Sequence, residues 1–72
     1  MYTLTFSGWE TGFDKVAFTM ALRNNTNLSL KDSKITTDEI LDNIPVRIEC
    51  KNENSYISLQ NSAKSFGAKY HL

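Results

Sequence analysis

Residues 2–7 read Tyr2-Thr3-Leu4-Thr5-Phe6-Ser7, a strict alternation of apolar and hydroxyl-bearing side chains. A period of two built from aromatic and β-branched residues predicts a half-buried strand, with Tyr2, Leu4 and Phe6 on its apolar face. The same pattern returns after Pro45 in Val46-Arg47-Ile48-Glu49-Cys50-Lys51, which predicts a second strand with Val46, Ile48 and Cys50 inward. The end of the chain, Ala68 to Leu72, comes after Gly67 and reads as a terminal strand.

Helical patterns fill the intervals. Gly8 and Gly12 bracket Trp9, Glu10 and Thr11, predicting a loop, and Asp14 offers an N-cap to the first helix. Phe13, Val16, Ala17, Met20, Ala21 and Asn24 recur at three- and four-residue spacing, an apolar stripe on a helix of about three turns. Lys15, Thr19 and Arg23, spaced i, i+4, i+8, form a second and more polar stripe. Asn24, Asn25 and Asn27 break this helix, because Asn competes for backbone hydrogen bonds and tolerates the left-handed conformation. Before Gly67, Tyr56, Leu59, Ala63 and Phe66 set out another amphipathic helix, capped by Asn52 at its start and by Gly67 at its end.

Leu28 to Ile35 admits two readings. Leu28 and Leu30 alternate as in a strand, whereas Ser29 succeeded by Lys31 and Asp32 caps a helix. Thr36 and Glu39 form a capping-box pattern ahead of Ile40, Leu41 and Ile44, which favours a short helix from about Thr37 to Asn43, stopped by Pro45. The resulting order is strand, helix, helix, strand, helix, strand. It describes one α+β domain over residues 1–72, a three-stranded antiparallel sheet with helices on one face.

Composition bounds the function. With 72 residues the chain is one domain, and chains of this size bury only about 60% of their unfolded surface, which leaves little room for a deep catalytic cleft. Eight Lys plus Arg balance eight Asp plus Glu, so no long-range field draws in nucleic acid and no polybasic block marks a membrane surface. A lone cysteine, Cys50, builds neither an intramolecular disulfide nor a cysteine metal cage, which points to a reducing compartment and a cytoplasmic location. No apolar run has the length of a membrane span, and Met1 does not lead into a secretory leader pattern.

Candidate chemistry is sparse, and no catalytic, metal-binding or cofactor-binding residue is expected. His71, near the chain end, lacks a dependable orienting partner and reads as a surface histidine. Cys50 alternates inward with Val46 and Ile48, as a small buried hydrophobe does. Asp38, Glu39 and Asp42 read as the solvated start of a helix, complementing its dipole. Gly8 and Gly12 form no phosphate loop, since no Lys-Ser pair stands after them in register. Trp9, in its glycine-flanked loop, reads either as a cap on the core edge or as an interface anchor.

Three blocks together resemble the C-terminal domain of the bacterial ribosomal stalk protein, L-seven/L-twelve. Asp14-Lys15-Val16-Ala17 through Arg23, then Thr26, Leu28 and Leu30-Lys31-Asp32-Ser33-Lys34, is similar to the family pattern K-V-x-x-I-K-x-V-R-x-x-T-G-L-G-L-K-E-A-K. Ile40-Leu41-Asp42-Asn43-Ile44-Pro45 resembles its L-V-E-x-A-P, and Phe66-Gly67-Ala68-Lys69-Tyr70-His71-Leu72 resembles its closing A-G-A-x-V-x-V. The chain departs from the pattern in Thr19 and Met20, in Asn27 and Ser29 where the family has glycine, and in about three extra residues around Ile35 to Asp38. The resemblance spans nearly all of the chain and implies a solitary stalk-type domain without the family's dimerisation segment and hinge, phage-encoded or a small paralogue. The same layer architecture resembles that of the adaptor of the Clp protease.

The resemblance implies a non-enzymatic module that binds a translational GTPase-like factor or another host protein through its first two helices. The binding face would comprise Lys15, Val16, Thr19, Met20, Arg23, Lys31 and Lys34, with Val16 and Met20 making apolar contact and the cations steering association. Trp9, on the interface-anchor reading of its loop, would mark a second interface. An alternative reading is a small nucleic-acid-associated or host-directed inhibitory protein whose cations meet phosphate without base specificity. No membrane partner is expected, and the oligomeric state is read as monomer or weak dimer.

Overall fold

The computed structural model describes residues 2–72 as β1 (Thr3–Trp9), α1 (Lys15–Asn25), α2 (Leu30–Leu41), β2 (Val46–Glu49), α3 (Glu53–Phe66) and β3 (Ala68–His71). The alternation read in the first residues makes β1 the central strand: the sheet order is β2-β1-β3, with both pairings antiparallel. Leu4 and Phe6 are fully buried under the helices, while Thr3, Thr5 and Ser7 stay half-exposed on the open face. Phe6 meets Phe18 of α1 edge-on at 5.2 Å between ring centroids and reaches Tyr70 of β3 at 6.3 Å. Leu22, Ile40, Leu59 and Ala63, all without solvent exposure, bring each of the three helices onto this centre.

β1 continues through Gly8 to Trp9 rather than giving way to a loop at Gly8. Phe6 pairs with Tyr70 and Gly8 with Lys69, so Ser7 is the extra residue of a bulge. One extra residue inverts the alternation beyond it. Trp9 therefore lies opposite the buried Ala68, and its indole Nε1 donates to the Leu41 carbonyl at the end of α2, 3.0 Å away.

Each helix starts where a short polar side chain accepts a backbone N–H: Asp14 from Ala17, Ser29 from Asp32 and Asn52 from Ser55. The Ser29 cap settles the segment after Leu28 as helix, and α2 begins at Leu30 instead of Thr37. Thr36 sits buried within α2, so the Thr36–Glu39 pattern does not act as a capping box. The earlier start moves Asp38, Glu39 and Asp42 to the C-terminal end of α2, where the macrodipole disfavours negative charge. That end closes with Asn43 at φ 61°, the Asn43 N–H on the Ile40 carbonyl and the Ile44 N–H on the Glu39 carbonyl. α1 ends with Asn25 Nδ2 donating to the Ala21 carbonyl and Thr26 Oγ1 to the Leu22 carbonyl.

Packing on α1 departs from the apolar stripe read in the sequence. Phe18 and Leu22 are buried at 0% exposure, whereas Val16 is 70% exposed and Met20 39%. Two stripes compete on this helix, and the one carrying the bulkier pair of side chains faces the core. At the end of α3, Gly67 adopts φ 87°, and its carbonyl accepts the Glu10 N–H at 2.8 Å. A Cβ there would stand 3.3 Å from the Phe13 Cα. Gly67→Ala is expected to lower the unfolding free energy by about 1–3 kcal/mol in urea denaturation, through left-handed strain and this contact with the α1 entry.

Candidate functional site

The first two helices enclose an open groove of about 290 Å³. α1 lines it with Lys15, Val16, Thr19 and Met20, and α2 with Leu30, Lys34, Thr37 and Asp38. On α2 these residues fall at i, i+4, i+7 and i+8, which is one helix face. Five of the residues expected from the sequence are thus brought together. Arg23, in the last turn of α1, and Lys31, in the first turn of α2, are exposed but do not line the groove.

Leu30, Thr37 and Asp38 are additions that the sequence reading missed. Their signal was the Ser29 cap: a helix begun at Leu30 places all three on the face of Lys34.

Thr19 takes a different role from the one its spacing with Lys15 and Arg23 suggested. It is buried in the floor of the groove, its Oγ1 2.7 Å from the Lys15 carbonyl and 2.8 Å from Thr37 Oγ1. Thr37 Oγ1 in turn donates to the Ser33 carbonyl at 3.0 Å. Two hydroxyl protons serve three contacts, and either threonine can be the donor in the contact between them. Hydroxyl groups bonded back to the helix can be buried without the cost of an unpaired polar atom. The floor is polar and satisfied, while the rim carries Val16, Met20 and Leu30, at 70%, 39% and 38% exposure.

Lys15 and Lys34 against Asp38 leave the groove with an excess of positive charge. Its side chains bring together no nucleophile with a histidine base. His71 lies on β3, with its Nε2 3.0 Å from Ser7 Oγ on the open face of the sheet. Among the described residues no group of three or more His, Cys, Asp or Glu side chains is placed to hold a metal ion. No helix among them is long and apolar enough to cross a membrane.

Trp9 stands away from the groove lining, 41% exposed beside the end of α2, half packed and hydrogen-bonded through its indole. Cys50 is buried just past β2, and its N–H donates to the Tyr2 carbonyl at 2.7 Å, extending the pairing with the first strand. Burial pushes its thiol above the ordinary value. It lines a second open groove of about 410 Å³, between residues 47–51 and Thr26, Asn27 and Leu28 of the α1–α2 connection. No family model, curated protein or solved structure matches this chain.

The Ser33 hydroxyl is fully buried without a hydrogen-bond partner among the described residues. Ser33→Ala is expected to leave stability unchanged or raise it by up to about 1 kcal/mol, whereas Thr37→Val lowers it by about 1 kcal/mol, both read by urea denaturation. For Cys50, the native chain holds the thiol proton more tightly than the unfolded chain. Its contribution is fully present below the ordinary thiol value of 9.0 and is lost as pH rises from there toward the raised native value. The stability difference between wild type and Cys50→Ala should therefore be flat below about pH 8 and shrink above about pH 9 in denaturation series.

Proposed function

We propose that this chain is a non-enzymatic protein-interaction module, and that the groove between α1 and α2 seats a translational GTPase-like factor or another host protein. The observation that carries this reading is the grouping of three exposed apolar side chains, Val16, Met20 and Leu30, along one groove flanked by Lys15 and Lys34. Isolated exposed apolar residues are ordinary, but a contiguous set rimmed by charge marks a contact surface. Apolar atoms at the centre provide affinity, and Lys15 and Lys34, with Arg23 and Lys31 farther out, favour an acidic partner and speed its approach.

The resemblance to the ribosomal stalk C-terminal domain supports the choice of partner, because Lys15, Val16, Arg23, Lys31 and Lys34 match positions of its pattern. Thr19 leaves the set of direct contacts in this proposal. Its buried hydroxyl positions α1 against α2 and so holds the two rims at their spacing. Met20, flexible and polarizable, suits a surface that adapts to its partner.

Titration calorimetry with a purified translational GTPase tests the reading. Wild type is expected to bind with a shallow dependence on salt, and Val16→Asp combined with Lys34→Glu to lose about 2 kcal/mol, a roughly thirtyfold weaker Kd. Pull-downs with and without nuclease complete the test. Recovery of nuclease-sensitive nucleic acid with a steep salt dependence, or no loss of factor binding in the double variant, overturns the proposal.

A further inference from the structure

We propose that β2 is a self-association edge, on which two copies of this chain pair Val46–Glu49 antiparallel about a two-fold axis at Ile48. This stands apart from the groove between α1 and α2. β2 is an outer strand of the sheet. Its neighbours fix the direction of its free backbone groups: the Cys50 N–H turns inward to Tyr2, while the Lys51 N–H turns outward to the Asn25 carbonyl at 3.1 Å. Alternation then points the backbone groups of Val46 and Ile48 at β1 and those of Arg47 and Glu49 away from the sheet. No turn, loop or cap bond among the described residues occupies the Arg47 or Glu49 backbone.

The ends of this free edge are defined. Lys51 has already spent its N–H on Asn25, and Pro45 has none to offer. The second groove touches residues 47–51 in succession on one side and Thr26, Asn27 and Leu28 of the connection between α1 and α2 on the other. Side chains of consecutive strand residues point to opposite faces, so a groove meeting every one of them runs along the backbone edge itself.

Three self-pairings near the strand centre match outward backbone groups with outward backbone groups. An axis at Arg47 sets arginine against arginine. An axis at Glu49 sets glutamate against glutamate and Arg47 against the partner's Lys51. An axis at Ile48 alone sets Arg47 against the partner's Glu49 and Glu49 against the partner's Arg47. Opposite charges directly across antiparallel strands stabilise the pairing and like charges oppose it, so charge selects the Ile48 register. The strand is complementary to itself in that register, which is why a second copy is its fitting occupant.

The product is one continuous sheet built from two three-stranded sheets, with the charged pairs on its open face. Ile48 is only 6% exposed, so association rests on backbone hydrogen bonds and charge instead of new apolar burial. Such a dimer is weak and weakens further with salt.

Sedimentation equilibrium at low salt up to about 1 mM protein tests it. The wild-type average mass is expected to rise from 8.2 kDa toward twice that value and no further. Arg47→Glu and Glu49→Arg, both at exposed positions and both checked for native circular dichroism, should each weaken association at least about tenfold. An equimolar mixture of the two variants should associate again, because opposite charges then face each other across the axis. Monomers at every wild-type concentration, growth beyond the dimer, association indifferent to either variant, or a mixture that stays monomeric would each overturn the proposal.

Discussion

The edge-on contact of Phe6 with Phe18 is the point on which the rest of this domain depends. Phe6 belongs to the central strand, flanked by Val46 on one side and Tyr70 on the other, and Phe18 belongs to the helix packed across it. A chain of 72 residues has few large side chains to place at its centre, and here the sheet and the first helix spend theirs on each other. Leu4, Leu22, Ile40 and Leu59 complete the same core, so the pairing of the strands and the seating of all three helices share one apolar contact region.

The bulky side chains of α1 face the core, and the contact between α1 and α2 beneath the groove adds other chemistry. Thr19, Thr37 and the helix carbonyls they bond form a compact polar seam. Beside this seam the larger apolar residues Val16, Met20 and Leu30 stay on the surface. The apolar rim of the groove is the counterpart of its hydroxyl floor.

The edges of the sheet obey another logic. Short outer strands and charged outward side chains are the usual means by which small sheets avoid uncontrolled pairing. β2 has only four residues, bounded by Pro45 and by the bond from Lys51 to Asn25. The alternation of Arg47 and Glu49 restricts which register a neighbouring strand can adopt, and a restricted register favours a closed pair over an open stack.

Local signals in the sequence act over a few residues, and what they control was legible without the fold. The alternations of residues 2–7 and 46–51 placed two strands, Asp14 and Asn52 placed the starts of two helices, and Gly67 placed the end of the third, since glycine takes a positive φ without the steric cost of a Cβ. The α+β class and the element order rested on these. Three features required the tertiary structure. Ser29 and Thr36 were both plausible starts for α2, and the early start is the one that carries Ser33, Thr36 and Thr37 into buried positions against the rest of the domain. Two apolar stripes ran along α1, and the aromatic contact with Phe6 turned Phe18 inward and Val16 and Met20 outward, which made a surface out of residues that periodicity alone assigns to a core. The bulge at Ser7 arises from the pairing of β1 with β3, residues more than sixty positions apart, and no neighbouring residue announces that Trp9 will turn toward the end of α2. Caps and alternation are decided by a residue and its near neighbours, whereas the face a helix buries is decided by which distant side chains compete for the same space.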